Sequence, residues 1–339
     1  MAVSPLAAAL SAVAIAMGAG IFYHFNFGLE EYMGPLKDAC GLNGPPKGPQ
    51  PEFLRLGNPF LDGLHCLVTP FFLDCVATPV GRFWVLKTLE VCTPLVVFMA
   101  LEESRSSARG LVRATVAVLA LSQLLGVSVA LPCLWVPSFL LLSRPRVAGA
   151  FLPAGKVPAI VASQAITLAF TAVLVCAATF PPAAAQRAVV WFNLGIPATA
   201  LIWMLAPGGA RPGNAAAAAA LRLTAGAACL LHAASVVDLL YHSGGSPGAA
   251  WASIVDAAQL KPPAKVTYPA HFMQWDFTGV TGAALLVTLA EEGVAGAARL
   301  LAMAPVVGPG AAFALVAARR EERLGGAAGA GARGAAKRD

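Results

Sequence analysis

Residues 271–290, HFMQWDFTGVTGAALLVTLA, form an apolar run long enough to cross a bilayer, yet Asp276 sits a few residues inside it. A carboxylate at hydrocarbon depth costs a few kcal/mol on insertion scales and is normally turned toward a bundle interior or a wet cavity. This stretch therefore predicts a membrane helix that carries function.

The rest of the chain agrees with a membrane class. Its 339 residues are 58% hydrophobic and 12% charged, against about 25% charged in ordinary soluble domains. Apolar runs of span length recur along the whole chain rather than once at the start, which excludes a soluble enzyme with a signal peptide. The opening MAVSPLAAALSAVAIAMGAGIFYHF lacks a basic n-region and reads as a retained helix.

The fold class expected is an all-α, polytopic transmembrane bundle of seven to nine spans. Nine are placed near 3–23, 60–78, 83–101, 111–142, 157–179, 188–206, 217–242, 271–290 and 296–318. The fourth holds Pro132 and Pro137 and is expected to kink or break after Leu131. Residues 1–318 are read as the bundle and 319–339 as a disordered, basic Gly/Ala-rich tail. The Gly/Pro-rich segment after the first span reads as a surface loop, and AAWASIVDAAQL (249–260) as an interfacial helix or an ordered loop. With nine spans, most Lys and Arg fall after odd-numbered helices and in the tail, which places the C-terminus in the cytoplasm and the N-terminus outside. The endoplasmic reticulum is the expected organelle.

No CxxC pair occurs among the seven cysteines, and most of them lie in apolar runs; they are read as small buried hydrophobes.

Asp62 opens the second span, Glu102 and Glu103 close the third, Asp238 and His242 close the seventh, and Asp276 opens the eighth after a loop with Lys261 and Lys265. On nine crossings all of these fall toward one membrane face, with Gln123 deeper as the floor of a polar pocket. Structural readings stand beside the functional ones. Glu102 pairs with Arg105 at a solvated helix end, Asp62 acts near a helix cap, and Asp238 with His232 and His242 forms either a relay or a self-satisfied stripe. Lys87 and Glu90 read as an internal ion pair. His232 is disfavoured as a metal or haem ligand.

No DDxxD, P-loop, GxGxxG, HExxH or GxSxG occurs, which argues against magnesium-diphosphate, nucleotide, zinc-protease and serine-hydrolase chemistry. Nucleic acid is not an expected partner.

Three segments, NPFLDGLHCLVTPFF (58–72), PLVVFMALEESR (94–105) and FMQWDF (272–277), resemble integral-membrane terpene cyclases of fungal meroterpenoid pathways, with SQLLGVSVALPCLW (122–135) and WFNLGIP (191–197) fitting the same picture. The matching polar positions are Asp62, Glu102, Gln123 and Asp276; Asn193 departs, since a Gln would be expected there. The resemblance implies protonation of a terminal epoxide or alkene on a prenyl chain and guided carbocation cyclisation. It implies Asp276, Glu102 and Asp62 as the acid–base set. Gln123, Asp238, Trp275, Trp191 and Asn193 would contact substrate, with no cofactor or metal. The physics concurs: an apolar site keeps a carboxylic acid protonated, and aromatic faces stabilise a cation. The implied partners are a lipophilic prenylated molecule and the bilayer. The competing expectation is a proton- or cation-coupled transporter.

Overall fold

A computed structural model describes residues 4–27, 30–42, 44–47, 51, 53–143, 152–209, 213–260 and 267–335; Lys261 and Lys265 lie outside them. The fold is 85% helical with no strands among the described residues, and seven of its twelve helices are long and apolar enough to cross a membrane. These properties fit a multi-pass membrane protein.

The helices are α1 (Pro5–Phe27), α2 (Glu30–Ala39), α3 (Pro59–Ala77), α4 (Pro79–Glu103), α5 (Gly110–Leu125), α6 (Val127–Ser143), α7 (Lys156–Val175), α8 (Pro182–Leu205), α9 (Asn214–His242), α10 (Pro247–Ala258), α11 (Tyr268–Val307) and α12 (Pro309–Ala335). Side-chain pairs fix their directions. At one end of the bundle, the arginine end, Arg105, Arg320 and Glu321 join Glu102, Glu291 and Asn214. At the other, the histidine end, Arg82 pairs with Asp238, and His24 faces His271 at 3.0 Å. Accordingly α1, α7 and α9 run toward the histidine end, and α4, α8 and the first part of α11 run back.

Two elements depart from the expected nine crossings. The segment read as one span, 111–142, turns back at Gly126, whose φ of 86° and ψ of 143° suit a residue without a side chain. Both its ends lie at the arginine end, where the Arg109 amide donates to Ser143 Oγ at 2.5 Å and the Leu111 amide to Ser138 Oγ at 2.8 Å. Pro132 and Pro137 do not break α6 after Leu131. They are absorbed by wider π-helical turns over Leu131–Trp135 and Phe139–Ser143.

The second departure is at the end of the chain. Helix α11 kinks at Gly293 (φ 66°, ψ −168°) beside the arginine end, runs inward to Gly308 (φ 88°, ψ 149°), and α12 carries the chain back out to Arg320. Residues 294–323 are thus a second re-entrant hairpin, where a crossing near 296–318 was expected. Its tip lies deep: the Gly310 amide donates to Glu90 Oε1 at 3.0 Å, midway along α4. The tail expected from 319 instead continues as helix, with Arg320 3% and Glu321 1% exposed.

Helix α3 is capped by Asn58, which accepts from the Phe60 and Leu61 amides, and it meets α4 at Thr78. Cys66 in α3 forms a disulfide with Cys40 just after α2, correcting the reading of all seven cysteines as isolated hydrophobes; Cys75 is fully buried as expected. Since α1 ends and α4 begins at the histidine end, α3 starts and finishes on that side and roofs the bundle. Helix α10 lies at the same end, presenting Trp251 and Val255 outward. The start of α1 therefore shares the arginine end with Arg320, and the odd-span argument that separated the termini does not hold.

Gly308→Ala tests the second tip. An alanine there meets strain of about 1–3 kcal/mol for its backbone region, and its Cβ collides with the Glu90 carboxylate. A lowered thermal midpoint in detergent is expected, whereas Gly226→Ala, which has open space around it, leaves the midpoint unchanged or raised.

Candidate active site

Between α1, α3, α4, the α5–α6 tip, α7, α8 and α11 lies a cavity of about 370 Å³. Its walls are mainly aromatic and aliphatic, with Phe22, Phe25, Phe71, Phe72, Phe192 and Phe272 prominent and Trp203 at the far end. Phe71 meets the Phe272 ring edge-on at 5.1 Å, and Phe72 meets Phe192 at 5.3 Å. Polar groups on the wall include Gln123, Gln164, Asn193, Thr88 and Asp276.

Asp276, 5% exposed, is positioned by one oxygen. Its Oδ1 accepts from the Ser128 amide at 3.2 Å and from Ser128 Oγ at 2.5 Å. Gly126 allows this approach: a Cβ on that glycine would lie 3.3 Å from Asp276 Oδ1. No ion pair to Asp276 is found among the described residues. The wall is open to the outside where Phe22, Leu124 and Leu125, exposed at 38%, 48% and 38%, flank it. Lys37, on α2, reaches the wall at the histidine end.

The expected gathering of carboxylates at one level does not occur. From Asp276 to Glu291, α11 rises about 22 Å at about 1.5 Å per residue, and Glu291 shares Arg320 with Glu102. Glu102 is therefore far from Asp276, sealed at the arginine end. Both Arg105 Nε and Arg320 Nη1 donate to its Oε1 at 2.7 Å. It is buried, not a solvated helix end. Burial by itself would lower the Arg105 pKa, but the Glu102 and Glu321 carboxylates outweigh it and hold it above the ordinary value.

Asp62 also lies outside the cavity wall; its Oδ1 accepts from the Leu56 amide and folds back the chain that leads into α3. Asp238 is taken up by Arg82 Nε at 3.1 Å and lies 3.3 Å from His242 Nδ1, a pairing at the bundle rim. Trp275 packs between His24 and His271, and Trp191 is 58% exposed against Phe170, so neither lines the cavity. Of the residues expected in the site, Asp276, Gln123 and Asn193 are brought together. No family model, no curated protein and no solved structure matches the chain. The assignment of a role thus rests on the geometry of this cavity.

Sequence reasoning missed Gln164, Phe192, Phe272 and Trp203. Two of them were within reach, because Phe192 adjoins Asn193 and Phe272 stands four residues, one helical turn, before Asp276. A third, Gln164, stands inside an apolar run as Gln123 does and carried the same signal, whereas Trp203 carried no local signal.

Glu102→Gln discriminates structural from catalytic use of that carboxyl. It breaks both buried ion pairs of Glu102, leaving Arg105 and Arg320 to Glu321 and Glu291 alone, and should cost about 3–5 kcal/mol, read as a large fall in thermal stability. A Glu102→Gln protein of unchanged stability with lost activity would contradict the structural role.

Proposed function

We propose that the cavity binds a lipophilic chain and that Asp276 donates a proton to it, so that the protein is a membrane-embedded cyclase of the terpene type. The observation that carries this reading is a single carboxyl group, without a cation beside it, set into a wall of aromatic and aliphatic side chains. An unpaired carboxylate in such surroundings costs several kcal/mol. The acid form is the one the site accommodates, which is the form a general acid needs.

The chemistry balances without another reactant. Asp276 gives its proton to a terminal alkene carbon or an epoxide oxygen. Ring closure carries the positive charge along the chain past the faces of Phe72, Phe192 and Phe272, and loss of a proton from carbon to the carboxylate restores the acid. Ser128 holds Oδ1 throughout. The product is an isomer of the substrate with at least one new carbocycle, formed at the expense of the epoxide ring or of a double bond. A volume of about 370 Å³ suits a drug-sized molecule, and the open wall at Phe22, Leu124 and Leu125 offers access from the bilayer. Lys37 at the histidine end suits an acidic head group on the same substrate.

A proton- or cation-coupled transporter is favoured by one observation, the two helices interrupted at Gly126 and Gly308 inside the bundle. The two readings separate on Asp276→Asn. A cyclase carrying it folds and loses product formation by about 100-fold or more, whereas a transporter loses pH-driven uptake. The assay incubates membranes with a prenylated arene and its terminal epoxide and looks for an isomer of equal mass. Unchanged substrate from the wild-type protein across a broad panel of such compounds overturns the cyclase reading.

For orientation, we propose that the arginine end faces the cytosol. It collects Arg105, Arg109, Arg113, Lys156, Arg320 and Arg323, in line with the positive-inside tendency. The Cys40–Cys66 disulfide at the other end suits an oxidising lumen or exterior. In sealed microsomes an impermeant maleimide added after reduction should label Cys40 and Cys66 only once the membrane is opened; labelling of intact vesicles reverses the orientation.

A further inference from the structure

Beyond the cavity, Lys87, Glu90 and His232 form a buried polar cluster at the second hairpin tip. Lys87 is 5% exposed and Glu90 fully buried; they pair with each other, and Lys87 Nζ lies 2.6 Å from His232 Nδ1. Nothing in the proposed reaction uses them. Their surroundings, however, repeat those of Asp276 feature by feature.

Each tip is a glycine with nearly the same backbone angles, 86° and 143° at Gly126, 88° and 149° at Gly308. In each, the amide two residues after the glycine donates to a carboxylate: Ser128 to Asp276 at 3.2 Å, Gly310 to Glu90 at 3.0 Å. In each, that carboxylate comes from the crossing helix that leads into the other hairpin, Asp276 from α11 and Glu90 from α4. The two crossing helices touch, Thr88 Oγ1 donating to the Met273 carbonyl at 3.1 Å. The order of elements repeats as well: a helix toward the histidine end (α1, α9), a segment lying on that end (α3, α10), a crossing helix (α4, α11), and a re-entrant hairpin with both limbs at the arginine end.

We infer that the bundle contains two copies of one structural unit, related by an approximate two-fold about the α4–α11 contact, and that position 273 decides the fate of the carboxyl group at its tip. Lys87 precedes Glu90 by three residues, and Met273 precedes Asp276 by three. An ammonium at the first position locks Glu90 as an anion that only anchors its hairpin. A thioether at the second leaves Asp276 without a counter-ion and free to exchange a proton. The part concerning proton exchange rests on the proposed function; the equivalence of the two positions does not.

Met273→Lys tests both. If the units are equivalent, the new ammonium reaches Asp276 as Lys87 reaches Glu90, and the purified variant keeps a thermal midpoint near that of the wild type. Met273→Lys combined with Asp276→Asn leaves that ammonium unpaired and falls by roughly 10 °C or more. At the other tip Lys87→Met should fall likewise and Lys87→Met/Glu90→Gln should recover most of the loss. Turnover in Met273→Lys drops about 100-fold or more, and Met273→Gln, of similar length without charge, retains at least ten times more activity than Met273→Lys. Equal destabilisation of Met273→Lys with and without Asp276→Asn, or failure of Met273→Lys to fold while Met273→Gln folds, overturns the equivalence. A folded Met273→Lys with full turnover overturns the control of Asp276. If the wild type shows no turnover the proposed function fails, and the thermal comparison still decides the equivalence.

Discussion

A helix interrupted inside a membrane leaves amides and carbonyls without partners, and hydrocarbon offers them none. The architecture depends on how that demand is met at Gly126 and Gly308. At each break a carboxylate from a crossing helix accepts from the amides that open the outgoing limb, Ser128 in one case and Gly310 in the other. At Gly308 the Glu90 anion also interacts favourably with the dipole of the helix that starts there. Asp276 and Glu90 are thus fixed where they are by the backbone they satisfy. The depth of each polar group in the bundle follows from the depth of a hairpin tip.

The carboxylates differ in what stands beside them. Glu102 has two guanidinium groups within 2.7 Å, and Glu90 has an ammonium, so each is held as an ion whose desolvation is offset by its partners. A third arrangement exists at Asp276, which has hydroxyl and amide donors on one oxygen and an aromatic cavity in front of it. A carboxyl group held by neutral donors can lose and regain a proton without stranding a buried cation. The same change at Glu102 would take away the anion that Arg105 and Arg320 share.

The sequence carried the class, the helical content and the inward placement of Asp276, because composition and run length report directly on transfer to hydrocarbon. It did not carry the path. Residues 111–142 and 296–318 are apolar enough to cross, and nothing in hydropathy distinguishes a crossing from a hairpin whose two limbs are each half as long. The decisive residues are single glycines, Gly126 and Gly308, among 33 in the chain. Counting 111–142 as a crossing inverts the side of everything between Glu102 and Asp276, which is how those two came to be grouped. The Cys40–Cys66 pairing had no spacing signature, since it joins the end of one helix to the middle of another. Gln123 was legible because a polar side chain inside an apolar run must face something polar, whichever way the helix runs; Asn193 entered only through the resemblance of WFNLGIP.

What makes one half of the bundle hollow is the insertion of α7 and α8. In the half containing Gly126 those two helices cover the hairpin from outside and supply Gln164, Phe192, Asn193 and Trp203 to the cavity. In the other half the corresponding outer limb, residues 294–307, turns Val294, Leu301 and Val306 outward, 77%, 56% and 77% exposed, and the space behind it is filled by the Lys87–Glu90–His232 cluster. A hollow is tolerated only where its wall keeps the contacts that close packing would have supplied, since empty volume in a core forfeits stability. The extra helix pair provides that wall on one side alone. One tip is therefore closed by charge and the other faces a cavity, and the asymmetry of the covering helices sets the Asp276 carboxyl group on the wall of that cavity.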